Sequence, residues 1–357
     1  MNLTDITPEL EQAALTAKWL APLILGCIAF IGLIGNFLVI FTVCRQKAHR
    51  AVTYYYIVNL AVTDVAFLIC CAPFTAAEYA LPQWIFGDFL CKFSSFMKQV
   101  TGLATCTTLT AMTIDRYRAI VHPFRSLQSR TPRAAITVSL CIWAGSCFLA
   151  LPMLLFKKEF YHPQFNMTIC IVDWPITELQ TVYNLGTFFA TYPIPLTIIG
   201  ICYAILLRKL WKYSISDRET GNGGEARARM MQRKRHVTFM ILIVVLGFAI
   251  CWLPIHSFQI WLLIVRPPPT VVFYYVRLCS LCLAYSNSAV NPIVYAFVGG
   301  KFRERFFYAC PFFCRYSIVR QETMPLDHVV KDKTTDTGYD TKRTKIVNSS
   351  ENTDPKD

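Results

Sequence analysis

Asp115, Arg116 and Tyr117 stand together at the end of a nearly uncharged stretch long enough to cross a membrane. A carboxylate and a guanidinium at the edge of a hydrocarbon core are costly unless they neutralise one another, and a pair that can break makes a two-state element. Asn36, Asp64, Asn287, Ser288 and Asn291 lie deeper in similar stretches. Polar groups at that depth need partners inside a bundle. A carboxylate facing carboxamides and a hydroxyl makes a small hydrated cluster. It serves either as a water-bridged structural network or as a site for a sodium ion, a hard cation that takes oxygen ligands. Pro195, Pro254 and Pro292 interrupt apolar runs, with Trp252 two residues before Pro254. Proline removes a backbone hydrogen bond and kinks a helix, so three of them beside buried polar groups favour a switch that moves helices. No nucleophile–base pattern and no cluster of metal-ligand histidines accompanies these residues, which argues against an enzyme.

The elements that must hold these groups follow from composition. Of 357 residues, 54% are hydrophobic and only 16% charged, where a soluble domain carries roughly 25% charged residues. Seven segments approach the length of about 20 apolar residues that spans a bilayer: 19–44, 52–77, 93–114, 134–156, 179–207, 237–265 and 273–298. The third holds one cation, Lys98, and the seventh has Arg277 near its start. The expected fold is an all-α membrane protein, a seven-transmembrane helix bundle over 19–298. A polar segment precedes it (1–18), a short amphipathic membrane-surface helix follows (299–314), and a disordered tail ends the chain (315–357). Residues 214–229 are polar and Gly-rich and read as a flexible loop. The net charge of +13 resides mostly in short loops rather than in a nucleic-acid motif. The bases of 45–50, 116–133 and 208–236 alternate with loops bearing Glu78, Asp88, Glu159, Asp173 and Glu178. By the positive-inside rule the amino terminus is outside and the carboxyl terminus cytoplasmic. Residues 1–18 lack the basic and apolar regions of a cleavable signal, so the first span is expected to act as the targeting signal.

Most of the 15 cysteines lie inside apolar runs and read as small buried hydrophobes. Cys91, at the outer start of the third span, and Cys170, in the outer loop 157–178, both face an oxidising compartment. A disulfide between them is chemically allowed, and other pairings stay open. Asn2 and Asn166 begin glycosylation sequons on the outer side. In 299–314, Phe302, Phe306 and Phe307 share a helical face as in an interfacial helix; Cys310 and Cys314 behind them are candidate palmitoylation sites.

The motifs GN (35–36), NLAVTD (59–64), Cys91, DRY (115–117), Trp143, Pro195, CWLP (251–254) and NPIVY (291–295), in this order on seven spans, resemble those of class A (rhodopsin-like) G-protein-coupled receptors. The resemblance covers roughly residues 19–314. It implies that Asp115 pairs with Arg116 at rest. On activation Arg116 turns inward, with Tyr203 and Tyr295 as partners, to floor a pocket for a heterotrimeric G protein. An acid near the inner end of the sixth span often adds a second lock; here that region reads QRKRH (232–236). The runs AVTYYYIVNLAVTDVAFLICCAPFTA and LQSRTPRAAITVSLCIWAGS look most like kisspeptin receptors, with galanin and allatostatin-A receptors as neighbours. That implies a plasma-membrane receptor for an amidated neuropeptide, signalling through Gq, phospholipase C and calcium. The alternative is a galanin- or allatostatin-A-like receptor coupled to Gi. Two departures stand out. Lys98 replaces the glutamine usual in kisspeptin receptors, and DRYRAI differs from the DRW or DRC forms of some of them.

By position on the outer halves of the spans, the peptide pocket is expected to include Phe74, Glu78, Lys98, Gln99, Asn184, His256, Gln259, Arg277, Leu281 and Tyr285. These aromatics with a few polar groups suit an amidated aromatic end. Lys98 would repel an arginine near a ligand's end; it would pair instead with Glu78 or with a ligand acid or carbonyl. An opsin needs a lysine in the seventh span for retinal, and 278–298 holds none. A transporter needs charges lining a path, and too few are present. Amine receptors place an aspartate where Lys98 stands. Thr323, Thr334, Thr335, Thr337, Thr341, Thr344, Ser349, Ser350 and Thr353 in the tail are candidate phosphorylation sites for receptor kinases, through which arrestin would bind. No cofactor is expected beyond the possible sodium ion.

Overall fold

A computed structural model describes residues 8–45, 52–164, 166–220, 225–265 and 270–298. Asn2, the 299–314 segment with Cys310 and Cys314, and the tail with its serines and threonines lie outside them. Helix α1 runs Pro8–Arg45, α2 Val52–Cys70, α3 Ala72–Ala80, α4 Gly87–Val121, α5 Pro123–Ser129 and α6 Pro132–Phe156. Strands β1 (Lys157–His162) and β2 (Met167–Val172) follow, then α7 Thr177–Thr191, α8 Pro193–Thr220, α9 Glu225–Val265 and α10 Val271–Val298. Joined end to end, α2 with α3 and α7 with α8 make single columns, so the seven expected spans are seven columns. Five are long and apolar enough on composition alone to cross a membrane; α4 and α10 are long but more polar.

The polarity of α4 has a structural reason. It packs against α2, α6, α8 and α9, so its polar residues face protein. Thr101, Thr107, Thr110 and Thr113 donate to backbone carbonyls one turn back in their own helix, at 2.6–2.9 Å. That satisfies each hydroxyl without a partner helix. α10 pairs with α1 and α9; its Asn287, Ser288 and Asn291 are buried, and the latter two reach Asp64 of α2.

Proline places the breaks. Pro73 has no N–H to donate, and α2 gives way to α3 at Cys71. The break in the fifth column lies at Tyr192, between α7 and α8, three residues before Pro195. Pro193 there lacks the donor that would continue α7. Pro254 and Pro292 stay inside continuous helices. α6 begins with a Thr131 cap, whose hydroxyl accepts from Ala134 N at 3.2 Å, followed by Pro132, an N-terminal pairing that favours helix initiation.

Three expectations are revised. α1 starts at Pro8, within the segment assigned to a polar terminus. Glu9 and Glu11 occupy its first turn, where acids suit the helix dipole, and Leu10, Ala13 and Ala17 are buried. Residues 214–220 and 225–229 are helical rather than loop; the second stretch opens EARARMMQRKR, a run of strong helix formers, and the Gly-rich 221–224 lies outside the described residues. The loop 157–178 contains an antiparallel hairpin in which Glu159 opposes Cys170, a short sheet in an otherwise helical fold. Close approach explains one motif glycine. A Cβ on Gly35 would meet the Pro292 ring at 2.8 Å, so α1 and α10 touch there without a side chain between them.

Candidate functional site

At one end of the bundle a disulfide joins Cys91 of α4 to Cys170 of β2, with Cα atoms 5.7 Å apart. The cysteine pairing that sequence left open is therefore this one. It closes the hairpin over the bundle. Asp88 reinforces the attachment: its Oδ1 accepts from Glu159 N at 3.0 Å, and Lys92 pairs with its Oδ2 at 2.5 Å. These two donors hold the Asp88 carboxyl below the usual carboxylate range. Trp84 Nε1 donates to the carbonyl of Gly87 at 2.9 Å, and Gly87 takes a φ of +77° that glycine alone adopts freely.

Beneath the hairpin lie two adjoining cavities. One, of about 460 Å³, is bounded by Glu78, Lys98, Gln99, Trp252, His256, Gln259, Arg277, Leu281 and Tyr285 among others. The second, of about 710 Å³, shares Lys98, Gln99 and Gln259 and extends to Asn184, Lys157 and Trp174. Nine of the ten expected pocket residues line one or both. The tenth, Phe74, packs instead against Trp84 and Phe86, 6.2 and 5.4 Å between centroids.

The floor of the smaller cavity is aromatic. His256 lies 5.0 Å from Tyr192, 5.6 Å from Trp252 and 5.7 Å from Phe188. It is buried, and neither ring nitrogen makes a hydrogen bond of normal geometry. Lys98 Nζ donates to Thr75 Oγ1 at 3.1 Å, and Thr75 in turn bonds Tyr285 OH at 2.8 Å. Of the partners considered for Lys98, Glu78 does not come within ion-pair distance; a ligand acid or carbonyl remains the alternative. Sequence reasoning did not single out Thr75, Lys157, Phe188 or Tyr192; only the PFTA run pointed near the first.

Trp252 connects the cavity to the core. It sits 5.8 Å from Phe248 and packs on an apolar cluster that includes Phe248, Leu109, Met112, Tyr203, Ile241, Val244 and Tyr295. Beside this column Asp64 is buried, accepting from Ser288 Oγ at 2.7 Å and Asn291 Nδ2 at 2.8 Å. Asn36 donates to the carbonyls of Gly32 and Ser288, both at 2.8 Å, rather than to the carboxylate. Its Oδ1 is a buried acceptor without a partner. A second buried node joins three helices: Asn59 Nδ2 donates to Thr108 Oγ1 at 2.8 Å, and Trp143 Nε1 donates to Asn59 Oδ1 at 3.0 Å.

At the far end of the column Arg116 Nη2 lies 2.7 Å from Asp115 Oδ2 and also donates to Thr53 Oγ1. Arg130, just past α5, binds the same carboxylate through Nε and Nη2 at 2.7 and 2.9 Å. Asp115 and Arg116 are both buried. Tyr117 points elsewhere, its ring 5.7 Å from that of His122. Tyr203 is buried nearby and donates to the carbonyl of Thr238 at 3.3 Å.

A membrane bundle with a capped cavity at one end, a breakable ion pair at the other, and a packed column between them is the architecture of a helical signalling receptor. Comparison with known proteins makes this specific. Residues 35–295 match the 7 transmembrane receptor (rhodopsin family), and the chain belongs to that family of G-protein-coupled receptors, multi-pass plasma-membrane proteins that are not enzymes. It is 41% identical to the KiSS-1 receptor of Rattus norvegicus over 302 residues, 82% of this chain and 75% of that one. It is 38% identical to galanin receptor type 1 of Homo sapiens over 79% of each chain. With the allatostatin-A receptor of Bombyx mori it shares 35% identity over 85% of this chain and 83% of the other.

Proposed function

We propose that this protein is a kisspeptin-receptor-like neuropeptide receptor. It binds an amidated peptide in the cavity beneath the hairpin and activates a heterotrimeric G protein, of the Gq class, at the Asp115–Arg116 end. The observation that carries this reading is the pairing of an aromatic-floored, polar-rimmed cavity with the buried pair at the other end of one packed column. Similarity to the KiSS-1 and galanin receptors supports a peptide as the ligand. The distribution of Lys and Arg supports a hairpin end outside the cell and an Arg116 end in the cytoplasm.

In the mechanism, the peptide's aromatic end enters above Trp252 and His256. A ligand that favours one packing of this aromatic floor shifts the bundle only by its differential affinity for the two states. The α9 helix, weakened at Pro254, and α10, weakened at Pro292, move to relieve that packing. Arg116 then leaves Asp115 for Tyr203 and Tyr295. The donor set around Asp64 fits a sodium ion: a carboxylate, the Ser288 hydroxyl, and the unpartnered Asn36 oxygen nearby. Bound there, the ion would supply positive charge that holds Asp64 ionised. Asn166, exposed at the hairpin turn with φ of 52°, is the favoured glycan site. Palmitoylation at Cys310 and Cys314, and arrestin recruitment by receptor kinases acting on the tail, belong to the same reading.

The test is intracellular calcium in transfected mammalian cells exposed to kisspeptin-like, galanin-like and allatostatin-A-like peptides, each amidated and as the free acid. A response to the amidated kisspeptin-like peptide, abolished by a Gq inhibitor, is expected. Silence to that peptide with a Gi response to the galanin- or allatostatin-like ones would replace this reading with its alternative.

A further inference from the structure

The charges around the cavities do not balance. Lys98 of α4, Arg277 of α10 and Lys157 of β1 line the two cavities, against one acid, Glu78 of α3. These groups come from four separate elements and lie within electrostatic reach of one another. Burial first, with Lys98 and Arg277 adding to it and Glu78 opposing, pushes the Lys157 ammonium below its usual value. Among the described residues none of the three cations forms an ion pair with Glu78. Just outside, Lys92 pairs with Asp88 and Lys158 with Asp173 at 2.5 Å each, while Glu159 and Glu178 lie outside the cavity linings. Lys98, half-buried, has three N–H donors and spends one on Thr75. Arg277 rests near the Tyr79 ring, 6.0 Å from its centroid, with its donors left for a ligand.

Lys98 and Lys157 are half-buried and Arg277 is exposed at the cavity mouth; half-buried cations without an ion-pair partner gain from a ligand that brings an anion. Resting on the peptide-receptor reading above, we propose that the inserted end of the ligand carries a carboxylate that docks between Lys98, Lys157 and Arg277. Glu78, at the rim, is then left for a hydrogen-bond donor on the ligand. The carboxylate belongs to either an acidic side chain or a free peptide terminus; both offer the same paired oxygens to Lys98. A peptide with a basic penultimate residue is disfavoured, because its charge would enter a field that is already positive.

The experiment uses full-length receptor in cells and short synthetic peptides of one scaffold ending Xaa-Phe. Three are amidated, with Xaa as Glu, Gln or Arg; a fourth has Xaa as Gln and a free terminal carboxylate. Calcium or G-protein activation gives the potency of each, and surface staining normalises for expression. One of the two carboxylate-bearing peptides is expected to exceed the neutral amide by about tenfold and the Arg peptide by more; which one it is identifies the source. Lys98→Gln should flatten this order and Lys98→Glu should invert it. Lys157→Gln and Arg277→Gln, at positions outside the packed core, should each weaken it if Lys98 variants fail to reach the surface. Peptides that activate with equal potency, or best with Arg, overturn the inference and leave the receptor reading standing. Activation by none of them overturns the peptide reading and the inference with it.

Discussion

Arg130 grips Asp115 at both carboxylate oxygens, 2.7 and 2.9 Å away, while Arg116 holds one of the same oxygens at 2.7 Å. Two guanidiniums therefore share one carboxylate, and they repel one another. Arg130 weakens the hold on Arg116 and keeps Asp115 neutralised when Arg116 leaves. Asp115→Asn should raise ligand-independent signalling, since a charge-assisted bond is worth about 1.5–3 kcal/mol, or roughly 10- to 150-fold in the two-state equilibrium. Arg130→Gln should act the opposite way, lowering basal signalling and peptide potency, because Asp115 then holds Arg116 alone. Basal G-protein turnover in membranes decides it; a rise in Arg130→Gln would show that Arg130 locks the resting state instead of priming its release.

The Cys91–Cys170 bond spans 79 residues, and closing a loop of that length is worth about 4.5 kcal/mol in the chain-entropy treatment. Cys91→Ser, Cys170→Ser and the double variant should all lose the same amount of surface expression and peptide binding, since each removes the same bond. A Cys170→Ser receptor that binds normally would mean the hairpin is held by Asp88 and packing alone.

Asn59 bonds both Thr108 and Trp143 in a buried setting. Asn59→Ala strands the Trp143 N–H and should cost about 1–2 kcal/mol. Trp143→Phe, which breaks one of the two bonds and strands only the Asn59 Oδ1 acceptor while Asn59 keeps Thr108, should cost less. Thermal unfolding of detergent-purified receptor measures both, and equal shifts would exclude the stranded donor as the cause.

Asp88 carries a pH signature. Its folded pKa is depressed, so its contribution is present above the unfolded value near 4 and is lost as pH falls through the folded one. The carboxylate is about half exposed, so screening keeps the effect small. Asp88→Asn should lower the Tm modestly at pH 7. The difference from wild type should shrink as pH falls below about 4, where the native carboxyl is itself protonated. A constant difference across that range would assign the loss to packing.

How much of this was legible in the sequence depends on distance along the chain. The apolar runs located all seven columns, because membrane length is a local property. The polar residues of α4 and α10 face other helices, so apolar runs mark these two least strongly, and their buried motif residues reinforce the assignment. The motifs named Asp64, Ser288 and Asn291, and the structure brings these into one cluster. Arg130 escaped because five arginines fall within 116–133 and only tertiary folding selects the one that returns to Asp115. Lys98 donates to Thr75, on α3 just past the break at Cys71, and the rotation of α3 after a break is not written in the spacing of its residues. Phe74, placed in the pocket by its position along the helix, turns the other way for the same reason.

The central claim is that the cavity and the Arg116 end report on one two-state element. Linkage then requires that a G protein bound at one end change peptide affinity at the other by the same factor that peptide changes G-protein affinity. The direct measurement is peptide binding to purified receptor in lipid discs, with and without nucleotide-free G protein, for wild type and Arg116→Ala. Wild type should gain about tenfold in affinity, within the usual range of such couplings, and Arg116→Ala should gain little. Unchanged wild-type affinity with G protein bound would contradict the account.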